Sequence, residues 1–568
     1  MEKRTIIALV LTIAILFVFQ MYFTPKSQQP DVSQQKTEQV QTKDQEQQKA
    51  QSTIQEVQKG IKVKPLKGEP TKRPLTKPVT ETKEIFVETP LLKITFLDVG
   101  GGIKSVKLKN YKETVKDSKE KEMVENIMPY IFTPKVFKRI QNEIVDDGAV
   151  FKPDKTNLYV TNKEDTLVFT GTLTNGTRVI KKYRFYPDSY AIDMDVEVES
   201  SENDKTSVDL VMITGKKESN YTFKGPFYFN GKKFEQIEKL EKEIEIPKDF
   251  KYAGLDDGFF AFIYIPQESS LSPLTILKQD PKSNESLPIL RLSMDKPVLS
   301  AKLYFGPKKS DILAGLNVKA EKIVDFGWFD VIAKPLIMGL NLSNKVTHNY
   351  GIDIILLTIL IKIIFYPLSV KSYKSMKEMQ KLQPQIAKLK EKYKDDKQKL
   401  NQEMMEIYKR KGVNPMGGCL PMIIQIPVFF ALYKALSGAI ELRHAPFMFW
   451  INDLSAPEDL FSFTVMGFTI PIRILPLIMG ITQMIQQKMT PTSVDPMQEK
   501  MMLFMPIFFT FLFWGFPSGL VLYWLVNDMI VYEKPPEIFF KITRLMLRLQ
   551  INVDHICLSR YGLSEAIK

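Results

Sequence analysis

Cysteine and histidine are nearly absent from this chain: two cysteines, Cys419 and Cys557, and three histidines, His348, His444 and His555, in 568 residues. Residues 24–350 hold no cysteine, so that span carries no disulfide and no thiolate zinc site. Three histidines scattered singly supply no metal centre and read as surface or boundary residues. Residues 84–316 contain neither residue type, so the common nucleophilic and metal chemistries lack their parts there. The expectation is no enzyme, no cofactor and no metal. Negative charge also falls short of positive, 65 acidic against 78 basic side chains, a net +13. A basic excess suits nucleic acid, acidic lipid or an acidic partner.

What is present is unevenly divided. Residues 1–23, MEKRTIIALVLTIAILFVFQMYF, place Lys3 and Arg4 ahead of a nearly unbroken apolar run. A secretory signal would have a shorter core and a small-residue cleavage site, which the following Thr24-Pro25 does not offer. The run reads as an uncleaved anchor with its N-terminus in the cytoplasm, a cleaved signal being the alternative. Residues 24–83 are rich in Gln, Lys, Thr and Pro with almost no aromatics. Such a segment cannot bury enough apolar surface to offset its ordering entropy, so it reads as a disordered linker.

From 84 to 316 the hydrophobic period becomes two. In AIDMDVEVES, Ile192, Met194, Val196 and Val198 share one face and Asp193, Asp195, Glu197 and Glu199 the other, the pattern of a half-buried strand. Asn175-Gly176 and Asn230-Gly231 each lie between such runs, and Asn-Gly there signals a hairpin. No long amphipathic pattern intervenes, which predicts an all-β sandwich.

Residues 317–340 include KIVDFGWFDVIAKPLIMGL, apolar with aromatics at Phe326, Trp328 and Phe329. This predicts an amphipathic helix in the membrane interface, or else one packed on the sandwich. Membrane spans are expected near 352–369, 419–437, 471–487, 501–514 and 518–532. The last two are split by Gly515-Phe516-Pro517-Ser518-Gly519, a strong breaker. Five spans form a helical core over 341–532, with the N-terminal anchor as an additional membrane helix.

Lys and Arg distribution sets the orientation. Residues 371–417 carry thirteen basic and six acidic side chains, a net +7, whereas 438–470 carry one basic residue, Arg443. The basic segment is therefore cytoplasmic, and the β-domain lies on the other side, in agreement with Lys3 and Arg4 inside. Met376, Met379, Ile386, Leu389 and Tyr393, then Leu400, Met404 and Ile407, recur at helical spacing about the Lys394-Asp395-Asp396 turn. They predict a helical hairpin over 372–416. It is either a solvated face beside anionic lipid or a docking arm for a ribosome, targeting factor or nascent chain.

One residue is out of place. Lys362 interrupts GIDIILLTILIKIIFYPLSVK, residues 351–371, where a lysine costs about 2.5–3.5 kcal/mol on insertion scales. It snorkels, pairs with an acid such as Asp528, or faces water inside the protein. Thr358, one turn earlier, with Gln425, Gln483, Gln486, Gln487, Thr510 and Asn527 from other spans, favours a wet cavity.

These stretches resemble a known family. KIIFYPL, LQPQIAKLKEKYKDDKQKLNQEMMEIYKRKGVNPMGGCLPMIIQIPVFFALYKAL, ELRHAPFMFWINDLSAPE, QQKMTPTSVDPMQEKMMLFMPIFFTF and FPSGLVLYWLVN closely resemble the YidC membrane-protein insertases of Gram-negative bacteria. The resemblance covers essentially residues 1–528. It implies a multi-pass protein of the bacterial inner membrane, with residues 24–350 periplasmic and both termini cytoplasmic. It also implies a hydrophilic groove, closed on the outer side, with a basic residue at the position of Lys362. By position, Thr358, Gln425, Tyr523 and Trp524 join Lys362 and Asn527 in that groove. Met422, Ile426, Pro427, Phe508 and Leu512 would form a hydrophobic track for the substrate's apolar segment. Implied partners are nascent membrane proteins, the Sec translocon with its accessory subunits, a ribosome or targeting factor through the hairpin, and anionic lipids, with no direct nucleic-acid binding. The tail, 533–568, departs from the family, because Pro535-Pro536 must stop a helix. Two other readings compete: a transporter or channel for a small solute, and a membrane-anchored sugar-binding sensor.

Overall fold

The computed structural model describes residues 82–530 except 117, 125–133, 141–142, 146–147, 200–206, 214–223, 268–271, 279–287, 295, 414–419, 459, 466–467 and 490–495. The expected anchor, nearly all of the linker, the end of the expected hairpin from 414, His555 and the atypical tail lie outside the described residues.

Strands run from Glu84 to Pro307. The alternating stretch forms the strand Ala191–Glu199, which pairs antiparallel with Arg178–Phe185 on one side and Val298–Pro307 on the other. Both Asn-Gly pairs turn hairpins, one between Asp165–Thr172 and Arg178–Phe185 and one between Gly225–Phe229 and Phe234–Gln236. Gly176 and Gly231 sit at φ 87° and 89°, which a side chain would disfavour. Three sheets of nine, six and five strands share one buried cluster. Phe96 of the five-stranded sheet lies 5.4 Å and 4.9 Å, ring to ring, from Phe169 and Tyr183 of the nine-stranded sheet.

Buried lysines break the polar-out rule, Lys181 among them. Lys181 occupies the inward row with Val179, Tyr183 and Phe185, wholly buried. Its Nζ donates to the carbonyls of Gly100 at 2.6 Å and Pro134 at 2.9 Å and lies 5.3 Å from the Phe151 ring. Burial of a cation is tolerable only with such partners.

A short helix α1 (Ser310–Ala314) leads to the helical region. The helix expected over 322–340 is displaced. Residues 320–323 and 327–329 form 3-10 turns, and helix α2 runs Asp330–Thr347. The cause is local. Gly327 has φ 64°, Asp325 Oδ1 accepts its N–H at 2.8 Å, and Asp330 Oδ1 accepts Phe326 N–H at 3.0 Å, so the acid at the first helical position sets the start. Trp328, Val331 and Val346 are 100%, 84% and 82% exposed, an unburied apolar face.

His348, at φ 53°, ends α2, and Asn349 caps helix α3 (Tyr350–Lys381) by accepting from the Gly351 and Ile352 N–H groups at 2.9 and 3.2 Å. Asp353 locks this corner, its carboxylate accepting from Asn344 at 2.8 Å and Thr347 at 2.6 Å. Among the described residues, α3 is the one helix long and apolar enough to cross a membrane by length and composition. It continues through the expected boundary near 370 into the hairpin. Helices α4 (Gln383–Lys392) and α5 (Lys397–Arg410) follow, Asp396 capping α5 by accepting Lys399 N–H at 2.9 Å.

Helix α6 (Leu420–Gly438) is followed by an irregular segment and a two-stranded hairpin, Phe461–Val465 with Phe468–Ile472. A span was expected to start at 471. Helix α7 starts instead at Ile474 (Ile474–Met489), because alternating aromatic and β-branched residues put 468–472 in a strand. Helices α8 (Pro496–Phe513) and α9 (Ser518–Met529) close the described region. At twelve residues α9 is about 18 Å long, well short of a hydrocarbon core of about 30 Å. It packs against α3, α6 and α7 and is buried at nine positions.

Candidate functional site

Because α9 touches α3, α6 and α7, its polar side chains meet those of its neighbours. Tyr523 is fully buried, and Gln425 of α6 donates its amide N–H to the Tyr523 hydroxyl. Asp528, five residues on, is 4% exposed. Its Oδ1 lies 3.5 Å from Asn527 Nδ2, and its Oδ2 has no hydrogen-bond partner. Lys362 of α3 is half-buried, and α3 packs against α9. A polar link therefore runs from α9 to α6, and α9 also carries a buried acid, Asp528. Of the expected groove residues, Gln425 and Tyr523 are brought into contact, and Asn527 lies beside the buried Asp528.

The other candidates are disposed differently. Thr358 is buried, and its hydroxyl donates back to the Ile354 carbonyl at 2.6 Å, so it is spent on its own helix. Trp524 lies among aromatic rings, edge-on to Phe429 at 5.2 Å and tilted against Phe513 at 5.2 Å and Phe509 at 6.1 Å. Its indole N–H is buried without a partner. It packs α6, α8 and α9 together. Thr510 bonds back to the Pro506 carbonyl at 2.8 Å and packs on Gly480 of α7. The track candidates Ile426 and Pro427 are exposed on α6, and Phe508 and Leu512 are half-buried on α8. Met422 belongs to α6, but its side chain lies outside the described set. Leu360, Ile363 and Ile364 of α3 are exposed by 53%, 64% and 62%, so α3 carries an apolar outer face.

One end of this arrangement is tied shut. Ser518, at the start of α9, donates from its hydroxyl to the Asp453 carbonyl at 2.5 Å and the Ala456 carbonyl at 3.0 Å. The Gly519 N–H donates to Leu454 O at 2.9 Å. Asp453 Oδ1 accepts from the Ser455 hydroxyl at 2.7 Å. Phe447 seats its ring directly on Gly351 of α3. Glu458 accepts from the Trp450 indole at 2.5 Å and the Leu475 N–H at 2.6 Å, and burial pushes its carboxyl above the usual range. Segment 439–458 thus binds the first turns of α3, α7 and α9.

The same segment meets the β-domain. Ile440 enters the β-domain core, and Arg443 Nη2 donates to the Glu113 carbonyl at 3.0 Å. Neither contact was read from the sequence, where Arg443 stood out only as a solitary basic residue. Among the described residues no group of three or more His, Cys, Asp or Glu side chains is placed to hold a metal.

Comparison with known proteins agrees with these two regions. Residues 84–338 match the family described as YidC periplasmic domain, and residues 342–534 match that described as 60Kd inner membrane protein. Membrane protein insertase YidC of Syntrophus aciditrophicus is 40% identical over 93% of this chain and 98% of its own. Membrane protein insertase YidC of Pelobacter propionicus is 39% identical over 93% of this chain and 97% of its own. A crystal structure of an active YidC insertase with its first transmembrane domain resolved aligns over 80% of this chain and 92% of its own, at 20% identity and a TM-score of 0.36, too loosely to carry geometry across. With nearly full-length identity at this level, the chain belongs to the YidC family of membrane protein insertases.

Proposed function

We infer that this inner-membrane protein inserts other proteins into the membrane through the polar site on α9. The observation that supports the site is the Gln425–Tyr523 bond between α6 and α9, with the buried Asp528 on α9 and the half-buried Lys362 on α3, a helix packed against α9. A polar tail entering beside these groups crosses less hydrocarbon, while its apolar segment leaves along the exposed faces of α3 and α6. Lys362 supplies the positive charge that attracts an acidic tail, as a point charge without the planar fork of arginine. The short α9 thins the bilayer beside the site and lowers the barrier.

In this reading α3, α6, α7, α8 and α9 are the five spans, joined by an anchor at 1–23. The +7 hairpin and both termini face the cytoplasm, and the β-domain is periplasmic. The tied segment 439–458 then closes the periplasmic side, so the site opens to cytoplasm and lipid. Helix α2 lies in the periplasmic interface, supported by its exposed Trp328, Val331 and Val346. The hairpin receives a ribosome, targeting factor or nascent chain beside anionic lipid, and the core works alone or with the Sec translocon. The β-domain is a scaffold without catalysis.

The direct test is photo-crosslinking. A photoreactive side chain at position 425 or 362 should join a stalled nascent membrane protein, and one at Val346 should not. Equal yields from all three would remove the site from insertion.

A further inference from the structure

We propose that the hairpin of residues 461–472 is a lipid-binding surface lying in the outer leaflet of the bilayer, its apolar row among the acyl chains and its polar row at the headgroups. The proposal rests on the reading of α3 and α7 as membrane spans. Strands Phe461–Val465 and Phe468–Ile472 pair antiparallel with each other and with no other strand among the described residues. Their register sets Phe461 opposite Ile472 and Phe463 opposite Ile470, and Ser462 opposite Pro471 and Thr464 opposite Thr469. Residues directly opposite share one face of the ribbon, so one row is apolar and the other is polar apart from Pro471. Phe461 and Phe463 are 55% and 42% exposed, and residues 460–472 hold no charged side chain. A two-stranded ribbon is marginal by itself in water, and this one leaves its phenylalanines uncovered.

The root of the hairpin is held at the membrane surface. Only Arg473 separates it from α7, and Arg473 donates to the Trp514 carbonyl just beyond α8. On the other side Glu458 accepts the Leu475 N–H at 2.6 Å. Helix α7 has sixteen residues, about 24 Å, against a hydrocarbon core of about 30 Å, so the uncharged residues ahead of it meet lipid before water. Phe449, 73% exposed, lies 5.9 Å ring to ring from Trp450, which Glu458 also binds. Aromatics at this level match the belt of a membrane interface. A protein strand is a poor occupant, because Pro471 lacks the N–H that strand addition uses. Nor does the hairpin offer a charge to a charged partner. Acyl chains need neither. The open strand edges keep the ribbon out of the hydrocarbon centre, so it lies along the interface, about 5–10 Å deep, as amphipathic helices do.

The test uses the full chain, with Cys419 and Cys557 replaced by serine, in phosphatidylethanolamine–phosphatidylglycerol liposomes. Single variants Phe463→Cys, Ser462→Cys, Ile363→Cys on the apolar face of α3 and Tyr159→Cys, 70% exposed in the β-domain, each carry a nitrobenzoxadiazole label. Quenching by a phospholipid with a nitroxide on its acyl chain should be at least roughly threefold stronger at 463 than at 159, and quenching by iodide roughly threefold stronger at 462 than at 463. Nitroxide quenching at 363 without quenching at 463 overturns the lipid contact and leaves the spans standing. No quenching at 363 overturns the span reading, and the proposal with it. A blue-shifted label at 463 that the nitroxide does not reach means that protein covers the hairpin, a second copy or another chain, and overturns the lipid occupant. Equal iodide quenching at 462 and 463 overturns the two-row arrangement. If Phe463→Cys fails to accumulate, Phe461→Cys in the same row gives the same readings.

Discussion

Arg443, in the segment after α6, donates to the backbone carbonyl of Glu113 in the β-domain at 3.0 Å, and its guanidinium lies 5.0 Å over the Phe260 ring. Tyr111 meets the same ring edge-on at 5.2 Å, and Lys121 Nζ approaches it at 5.5 Å. Residues far apart in sequence thus converge on Phe260, and the segment that holds the first turns of α3, α7 and α9 is also the one that holds the β-domain.

Arg443→Ala should therefore loosen the junction. It removes a charge-assisted hydrogen bond and a cation–π contact, together about 2 kcal/mol. Arg443→Lys keeps the charge but loses the planar stacking group and should recover only part. Hydrogen exchange of the full chain in detergent checks this. Protection should fall at 111–113 and 258–262 in Arg443→Ala while the hairpin Asp165–Phe185 is unchanged, and uniform exchange in wild type and variant would show that Arg443 does not hold the junction.

Gly351 is required by a close approach rather than by its backbone conformation. A methyl group there would overlap the Phe447 ring, and overpacking of this kind costs about 1–3 kcal/mol. Gly351→Ala should lower the thermal midpoint, and adding Phe447→Ala should return part of the loss, because contacting residues are not additive. Strict additivity in the double variant would mean that the two do not touch.

The parts of this structure that could be read in advance are local. Strand Ala191–Glu199 followed from its alternation, and the two hairpins from Asn-Gly, since period and positive φ are fixed by neighbouring residues. What was hidden depends on distant partners. Lys181 looks like an ordinary strand lysine until Gly100 and Pro134, remote in sequence, bring their carbonyls to it. Hydropathy does not distinguish a strand end from the start of a span, so the span expected from 471 overlaps the end of strand Phe468–Ile472. In the candidate site, residue types and spans were legible, but partners were not. Thr358 turned inward to its own helix, Trp524 was absorbed by aromatic packing, and Asp528 was buried where α9 packs against its neighbours.

Lys181 gives the β-domain a pH signature. Burial, then the neighbouring Lys135, push its ammonium down from 10.5 to about 7. The unfolded chain restores the higher value, so between about pH 7 and pH 10.5 the unfolded state binds the extra proton. Stability should rise with pH through that window, by at most about 1.4 kcal/mol per pH unit from this group. Lys181→Met leaves the Gly100 and Pro134 carbonyls without their donor, costs about 1–3 kcal/mol, and should remove this part of the slope. Denaturant unfolding of the full chain in detergent at pH 7 and pH 9 measures it, and identical slopes in wild type and variant would refute the assignment.

Water access distinguishes a polar site open to the cytoplasm from a packed polar core. The native thiols Cys419 and Cys557 are first replaced by serine. A single cysteine at Gln425, half-buried beside Tyr523, should react with a membrane-impermeant thiol reagent supplied on the cytoplasmic side, because attack needs the thiolate and therefore water. A cysteine at Thr358 should stay unlabelled, since that position is buried against its own helix. Cysteines at Leu360 and Ile363, exposed but on the apolar face of α3, should also stay unlabelled, because lipid covers that face. From the periplasmic side position 425 should be silent. The ties from Ser518 to Asp453 and Ala456, with Phe447 seated on Gly351, close that end. Labelling of position 425 from both sides would describe a through-channel and return the transporter reading to contention. Silence from both sides would mean that Gln425 and Tyr523 form a dry structural bond, and the insertion route would have to lie elsewhere on the protein.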